Sequence, residues 1–388
     1  MAKDETFWEK VRARYDIQNE IINLEQGYWG KMSNPVQQAF FEHTRRVNRE
    51  MSWYARKHFG RDLHAAREAV ADALQVKKQE IMLTRNATES FVNLITQYND
   101  FETGDEILWA DIDYPSYQDM MAWLSTERKV KGHKLVLPNS GTTEDYLQAY
   151  QQAFEQYPKI KLMLLTHVSN QHGLVMPVRQ IAEMARARGI RVICDCAQSW
   201  GLIDFTIDDL GVDWAIFNLH KWIGTPVGVG ALFMREGTLA AVSPFPGEDP
   251  GDNDVSNRIH LATSNFASFM TVPDALSFHN KIGGKNKEAR LRYLWESWTL
   301  PLRDNAAIEI LGAASSANAS GMGGFRLAGK TSYEENAAVQ QQLEKEFGIF
   351  TVVRKGLTAG SNVRVTPQIF TPASDMKKLV DALNTITS

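Results

Sequence analysis

Between about Arg61 and Arg235, short apolar runs alternate with stretches in which apolar residues recur at helical spacing. Such alternation is typical of a largely parallel sheet covered by helices. The helix predicted over Pro177–Arg188 has a proline at its start and Gly189 just after its end. We therefore predict an α/β fold with strands at Glu106–Ala110, Lys134–Leu137, Lys161–Thr166, Arg191–Asp195, Trp214–Asn218 and Gly230–Met234.

A second, smaller α+β domain is predicted after about Phe266, where the alternation stops. It would contain a long helical stretch from Lys285 to Ile310, helices near Glu334–Phe347 and Ser374–Ile386, and a pair of strands. The glycines of the segment 321–324 are interpreted as a flexible turn, because no strand and helix flank them as a phosphate loop requires. With an N-terminal helix around Phe7–Leu24 packed on it, the small domain would comprise residues 1–24 and 266–388, and the large domain residues 25–265.

Lys221 and Asp195 carry the strongest chemical signal. Lys221 lies among Leu219, Trp222 and Ile223, and a desolvated amine is a good nucleophile toward an aldehyde. Asp195 ends a predicted buried strand, where a carboxylate can keep a pyridinium nitrogen protonated. The pair therefore suggests a pyridoxal phosphate enzyme, whereas a solvated lysine and a turn-forming aspartate are the alternatives.

Two further segments can hold parts of such a cofactor. Ala87 and Thr88 lie at the predicted start of a helix, where free N–H groups and a positive dipole end suit a phosphate. Tyr114 follows a strand, and its ring can stack on a cofactor ring. A helix cap without ligand and a half-buried tyrosine are the alternatives. Ligands of open α/β sheets bind beyond the carboxyl ends of the strands, where these segments are expected.

Taken together, the residues resemble fold-type I pyridoxal phosphate enzymes of the class V aminotransferase family. The resemblance is carried by Asp195-Cys196-Ala197-Gln198 and His220-Lys221, and it covers nearly the whole chain. It implies that Lys221 forms the imine with the cofactor and that Asp195 is the partner of the pyridinium nitrogen. It also implies that Gln198 donates to the phenolic oxygen of the cofactor and that Tyr114 stacks on its ring. The phosphate would be contacted by Asn218, His220, Ala87 and Thr88. The substrate would be contacted by Asn170 and Arg364.

The resemblance also implies a homodimer, because Thr263 matches a threonine that reaches the phosphate in the partner subunit. For Arg364, a two-pronged grip on the substrate α-carboxylate is the implied role, and an internal salt bridge is the alternative.

The reaction type is less constrained than the cofactor. The chain looks most similar to the isopenicillin N epimerase-like branch, and no cysteine follows Cys196, which disfavours persulfide chemistry. Cys194 and Cys196 are expected to be reduced packing residues.

We predict an enzyme that acts at the α-carbon of an amino acid, as an epimerase or racemase. An aminotransferase, a β-lyase and a non-catalytic cofactor-binding protein are the alternatives. Epimerisation needs a second acid, for which Tyr28, His172 and Tyr117 are candidates.

Composition and missing motifs exclude other classes. Net charge is −4 and basic residues are scattered, which disfavours nucleic-acid binding. With only two cysteines, we expect no metal site. The lack of a Gly-x-Gly-x-x-Gly segment after the first strand argues against a nicotinamide-dependent dehydrogenase. No long apolar run or secretion signal is found, so no membrane partner is expected and the predicted location is cytoplasmic, a removed export signal being the alternative.

Overall fold

The structure, a computed structural model, describes residues 1–18, 20–249 and 253–388 of the 388-residue chain. Its helices are α1 (Glu5–Arg12), α2 (Asn34–Lys57), α3 (Phe59–Leu74), α4 (Ala87–Gln97), α5 (Pro115–Arg128), α6 (Thr143–Gln156), α7 (Val178–Arg186), α8 (Ile207–Leu210), α9 (Phe266–Met270), α10 (Val272–Ile282), α11 (Gly284–Leu302), α12 (Tyr333–Phe347) and α13 (Ala373–Thr387). Its strands are β1 (Ile22–Asn23), β2 (Ile81–Thr84), β3 (Glu106–Ala110), β4 (Lys131–Leu135), β5 (Ser140–Gly141), β6 (Ile160–Thr166), β7 (Arg191–Asp195), β8 (Trp214–Asn218), β9 (Gly230–Met234), β10 (Ile308–Ala313), β11 (Gly323–Leu327), β12 (Ile349–Phe350), β13 (Val352–Arg354) and β14 (Asn362–Val365).

The larger sheet has seven strands in the order β2, β9, β8, β7, β6, β3, β4. The pairings from β8 through β7, β6 and β3 to β4 are parallel, whereas β9 runs antiparallel to both β8 and β2. Strands β8 and β9 are buried throughout and β7 is buried except at Arg191, as expected for a sheet with helices on both faces. The predicted α/β class, with a mostly parallel sheet, is confirmed.

The smaller sheet has the order β13, β14, β11, β10, β5 and is antiparallel except for the β10–β5 pairing. The N-terminus is joined to this part of the molecule, because β1 pairs with β12 and Trp8 packs with Leu291 and Trp298 in one apolar cluster. This arrangement is the smaller α+β unit expected from the sequence.

The division into residues 25–265 against 1–24 and 266–388 stays a prediction. In the structure, α9 and α10 pack on α2 and α3, and Phe269, Val272 and Leu276 share an apolar cluster with the large sheet. These two helices therefore lie against the core of the large domain.

Four local predictions differ from the structure. Strand β4 spans Lys131–Leu135 rather than Lys134–Leu137. The predicted helix through Ile310 ends at Leu302, because Ile308–Ala313 pairs with β11 as a strand. Gly321–Gly324 is not a flexible turn: its last two glycines belong to β11, and a Cβ at Gly323 would lie 2.6 Å from Trp298 Cζ2. The N-terminal helix is shorter than Phe7–Leu24, since α1 ends at Arg12.

No helix in the described ranges is long and apolar enough to cross a membrane.

Candidate active site

A cavity of about 320 Å³ lies at the carboxyl edge of the large sheet. Strand β7 ends there at Asp195 and β8 at Asn218, and the segment after β8 carries Lys221. Most of the residues singled out from the sequence line this one cavity: Thr88, Tyr114, Asn170, Asp195, Gln198, Asn218, His220, Lys221 and Arg364. Ala87 does not line it, and Thr263 is an exposed residue outside it.

Lys221 and Asp195 are both held in an environment that disfavours charge. Burial lowers the pKa of Lys221 to about 8; Arg364 and Arg354 lower it further, whereas the Asp195 carboxylate opposes the shift. Burial raises the pKa of Asp195 to about 6, although the Ala197 N–H donates to Asp195 Oδ1 at 2.8 Å and Lys221 lies nearby. The lysine is therefore closer to its neutral, nucleophilic form than a surface lysine, and the aspartate still ionises below neutral pH.

The N-terminal segment Gly27–Gly30 crosses the cavity and contacts the backbone that carries Lys221. The Gly30 N–H donates to His220 O at 2.7 Å, and a Cβ at Gly30 would lie 1.7 Å from Lys221 O. Only glycine allows so close an approach. Tyr28 and Trp29, between the two glycines, line the cavity mouth with exposed fractions of 71% and 53%. They therefore lie at the entrance rather than in the core.

Gln198 links this segment to the turn after β8, residues 219–223, which carries Lys221 and is here called the lysine turn. Its Nε2 donates to Gly27 O at 2.9 Å, and its Oε1 accepts from Trp222 Nε1 at 3.0 Å. Both ends of the amide are thus oriented, which fixes the side chain at the cavity wall.

The N-terminus of α4 faces the same cavity. The Ala87 N–H donates to Asn218 Oδ1 at 2.9 Å, so these two groups satisfy each other, while the Thr88 hydroxyl lies 3.4 Å from Tyr117 OH. His220 pairs through Nδ1 with Val229 O at 2.8 Å, and burial lowers its pKa to about 4. The imidazole is therefore neutral, with Nδ1 carrying the proton and Nε2 left for another contact.

Two tyrosine rings line the cavity. The Tyr114 and Tyr117 rings are perpendicular, with centroids 5.1 Å apart, and both line the cavity. Burial raises the pKa of Tyr117 well above its ordinary value, so its hydroxyl keeps its proton. His172, by contrast, is buried behind the cavity, and burial lowers its pKa to about 4. Of the three candidates for a second acid, Tyr28 and Tyr117 line the cavity and His172 does not.

Arg354 and Arg364 form a part of the cavity wall, here called the arginine wall. Arg364 donates from Nη2 to both oxygens of Glu25, at 2.6 and 2.7 Å, and from Nη1 to Asn170 O at 2.8 Å. The internal salt bridge left open by the sequence is therefore present. Arg354 lines the same cavity, and burial together with Arg364 lowers its pKa to about 10. Neither Arg354 nor Glu25 was singled out from the sequence, because their neighbours in the chain give no sign of the contact.

Cys194 and Cys196 are free, fully buried and part of the core beneath the sheet edge, with their sulfurs 3.6 Å apart. Over the part of the chain that the structure describes, no group of three or more His, Cys, Asp or Glu side chains could hold a metal ion.

The donor set of the cavity fits an anionic, aromatic aldehyde cofactor. A buried amine can form an imine, a buried carboxylate can stabilise a protonated ring nitrogen, and a helix N-terminus can hold a phosphate. These features define the class of enzymes in which a lysine binds pyridoxal phosphate. The particular family follows from sequence comparison: the chain belongs to the aminotransferase class-V family, whose model matches residues 33–367. Members of this family use pyridoxal phosphate, and the chain is an enzyme dependent on that cofactor.

The sequence identity of this chain to individual relatives is 24–28%. The chain is 25% identical over 405 residues to isopenicillin N epimerase of Streptomyces clavuligerus, covering 98% of both chains. It is 24% identical over 404 residues to the same enzyme of Amycolatopsis lactamdurans, covering 98% of this chain and 99% of the relative. A probable cysteine desulfurase of Mycolicibacterium paratuberculosis is 28% identical over 263 residues, covering 64% of this chain and 38% of that relative.

Solved structures share the fold. The apo cysteine desulfurase of Thermococcus onnurineus NA1 superimposes with a TM-score of 0.83 at 20% identity, with 98% of each chain covered. Cysteine desulfurase CsdA of Escherichia coli gives a TM-score of 0.81 at 19% identity, covering 97% of this chain and 98% of that one. At these identities the likeness concerns the fold alone.

Proposed function

We propose that this protein removes and returns the α-proton of an amino acid, as an isopenicillin N epimerase-like epimerase or racemase. The observation that carries the proposal is the position of Lys221, a buried amine of lowered pKa in the same cavity as Asp195. The relatives support the reaction type, since in sequence the epimerases align over 98% of this chain and the cysteine desulfurases over 58–79% of it.

Bound pyridoxal phosphate would supply an electron sink for the negative charge that develops at the substrate α-carbon. Lys221 would hold the cofactor between turnovers and then, freed by the substrate amine, take the α-proton on Nζ. Asp195 would keep the ring nitrogen protonated, and Tyr114 would stack on the ring and exclude water. Thr88, Asn218 and His220, with the start of α4, would hold the phosphate.

Arg364 would bind the substrate carboxylate, and Asn170 would lie between the carboxylate and the cofactor. An epimerase must return the proton to the opposite face of the α-carbon. Tyr117 and Tyr28 line the cavity and each carries a phenolic proton. Tyr117 is buried, so its position is the more fixed of the two.

The proposed assembly is a homodimer. Thr263 is exposed and lies outside the cavity of its own chain, which leaves it available to a cofactor site in a second copy. A Thr263→Ala variant should then weaken pyridoxal phosphate binding while leaving the individual chain folded. Normal cofactor affinity in this variant would argue against the shared site.

Two measurements test the function. Purified protein with added pyridoxal phosphate should show a visible absorption band that is absent from Lys221→Ala. Amino acids incubated with the enzyme in heavy water should then incorporate deuterium at the α-carbon without forming a keto acid. Keto-acid formation would favour an aminotransferase, and loss of a β-substituent a lyase. A colourless protein would overturn the proposal.

A further inference from the structure

A second cavity, of about 510 Å³, shares no lining residue with the candidate active site. It lies between α1, the start of α2 and α10, and it is here called the α1–α10 groove. Phe7, Lys10 and Val11 of α1 line it, together with Arg14, two residues beyond the end of that helix. The lining residues of α10 recur at helical spacing and therefore share one face of the helix. They are Asp274, Ser277, Phe278, Lys281 and Ile282.

The floor of the groove is apolar. Val11 and Ile282 are each 8% exposed, and Phe7 and Phe278 are half-buried. The Phe278 ring lies edge-on to the Tyr15 ring, with centroids 5.9 Å apart, which limits the orientations it can take. The groove therefore offers a preformed apolar surface to a ligand.

The rim of the groove is positively charged. Lys10, Arg14 and Lys281 are exposed, and within the described ranges their side chains form no ion pair or hydrogen bond. Asp274 is the one acidic residue of the lining, and its Oδ2 lies 3.2 Å from His43 Nε2. The whole chain has a net charge of −4, so this local excess of positive charge is opposite in sign to the rest of the molecule. The rim should attract an anion.

The size and chemistry of the groove favour a small ligand over a protein segment. Small-molecule sites have volumes of about 300–1,000 Å³, whereas a stable protein interface buries about 800 Å² on each partner. Ser277 is the one uncharged side chain of the lining that can form a hydrogen bond. A peptide or a sugar would therefore leave many of its polar groups without partners on the floor. An apolar chain with one anionic head matches both floor and rim.

We propose that the α1–α10 groove binds a small amphipathic carboxylate, with its hydrocarbon chain on the apolar floor and its carboxylate among Lys10, Arg14 and Lys281. The inference goes beyond the proposed function and does not depend on it. Exposed cations each contribute little to affinity, whereas every methylene that leaves water contributes more. Chain length is therefore the variable to which binding should respond most.

The test titrates the holoenzyme with hexanoate, octanoate and decanoate by isothermal calorimetry. Each step of two methylenes should tighten binding by about 3- to 15-fold. 1-Octanol has the chain of octanoate without its charge and should bind about 3- to 30-fold more weakly than octanoate. Tetraglutamate has more charge and no hydrocarbon chain, and it should bind more weakly than decanoate.

Two variants separate the rim from the floor. Lys10→Gln/Arg14→Gln/Lys281→Gln should weaken octanoate by about 3- to 30-fold and leave 1-octanol unchanged. Ser277→Trp, at an exposed position of α10, fills the groove and should weaken both ligands by about 10-fold or more.

Matched controls make the same changes outside the groove. Arg45→Gln/Lys345→Gln/Lys377→Gln removes three exposed positive charges, and Ser374→Trp adds a tryptophan at an exposed position of α13. Both controls should bind the carboxylates like wild type. All variants should keep the oligomeric state of wild type in sedimentation experiments.

Four results would overturn the inference. They are an affinity that does not depend on chain length, wild-type binding of octanoate by Ser277→Trp, tighter binding of tetraglutamate than of decanoate, and a changed oligomeric state in Ser277→Trp or the triple variant of the rim. The third would assign the groove to an acidic protein segment and the fourth to a second copy of this chain. None of them touches the proposed function, which would fail only in the α-proton exchange experiment.

Discussion

Lys287 is buried in the core and Lys221 is partly buried at the cavity wall, and their surroundings differ. Burial lowers the pKa of Lys221 to about 8 and that of Lys287 to about 7. Lys221 lines the cavity and interacts with the Asp195 carboxylate. Lys287 lies on α11 beneath the lysine turn, where Nζ donates to Trp222 O at 2.7 Å and lies 2.9 Å from His279 Nδ1.

The difference shows that a lowered pKa does not by itself identify a catalytic lysine. A lysine that reacts must face a space that a ligand can enter, whereas Lys287 has polar neighbours that use its donors. Because Trp222 directly follows Lys221 in the chain, Lys287 supports the backbone next to Lys221. We therefore assign Lys287 a positioning role.

The largest expected effect separates the two lysines directly. Lys221→Ala should abolish the visible band and lower α-proton exchange by roughly 10²- to 10⁴-fold, the usual contribution of a positioned acid–base group. Lys287→Met should keep the band. Absorbance spectra and deuterium incorporation measured by mass spectrometry check both variants. If Lys287→Met lost the band and Lys221→Ala kept it, the assignment of the two roles would be wrong.

Removing the Asp195 charge should make the surroundings of Lys221 more like those of Lys287. Asp195→Asn should lower α-proton exchange by about 10- to 100-fold, because a hydrogen bond to a charged group is lost at the ring nitrogen. It should also lower the pKa of Lys221 further, since the Asp195 carboxylate raises it. The pH midpoint of the rate at which pyridoxal phosphate associates with the cofactor-free protein reports this shift. Asp208→Asn, at a side chain that is 82% exposed, is the matched control.

The pH dependence of cofactor binding should follow Lys221 and not Lys287. The neutral amine attacks the aldehyde, so the association rate of pyridoxal phosphate should rise with pH through about 8 and level off above it. Stopped-flow absorbance measures this rate. The Lys287→Met variant should show the same midpoint, and a midpoint that moved with this substitution would give Lys287 a direct part in the reaction.

Local sequence predicts the sheet edge well and the arginine wall poorly. Strands β3, β7, β8 and β9 have the predicted bounds, because each is a short apolar run between polar residues. Strand β4 spans Lys131–Leu135 rather than Lys134–Leu137, since pairing with β3 sets its register and not its own hydrophobicity.

The features that were missed depend on contacts between distant residues. Ile308–Ala313 continues a helical pattern locally but pairs as a strand with β11. Gly323 looks flexible in sequence, but Trp298 leaves no room for a side chain there. Glu25 and Arg364 are 339 positions apart, so no local pattern could join them.

The smallest expected effect is on the stability of the Lys287 region. In the folded protein Lys287 has a pKa of about 7, below the ordinary lysine value of 10.5, so the unfolded chain binds more protons between these values. The free energy of unfolding should therefore rise with pH across this window in wild type.

Lys287→Met should lose this rise. Its free energy of unfolding should also be lower by about 1–3 kcal/mol, because Trp222 O is left without its donor. Lys285→Met, an exposed lysine on the same helix, is the matched control. Urea unfolding at pH 7 and pH 9 measures both variants. An equal pH slope in wild type and Lys287→Met would show that Lys287 is charged in the folded protein, and its difference from Lys221 would then lie in its partners alone.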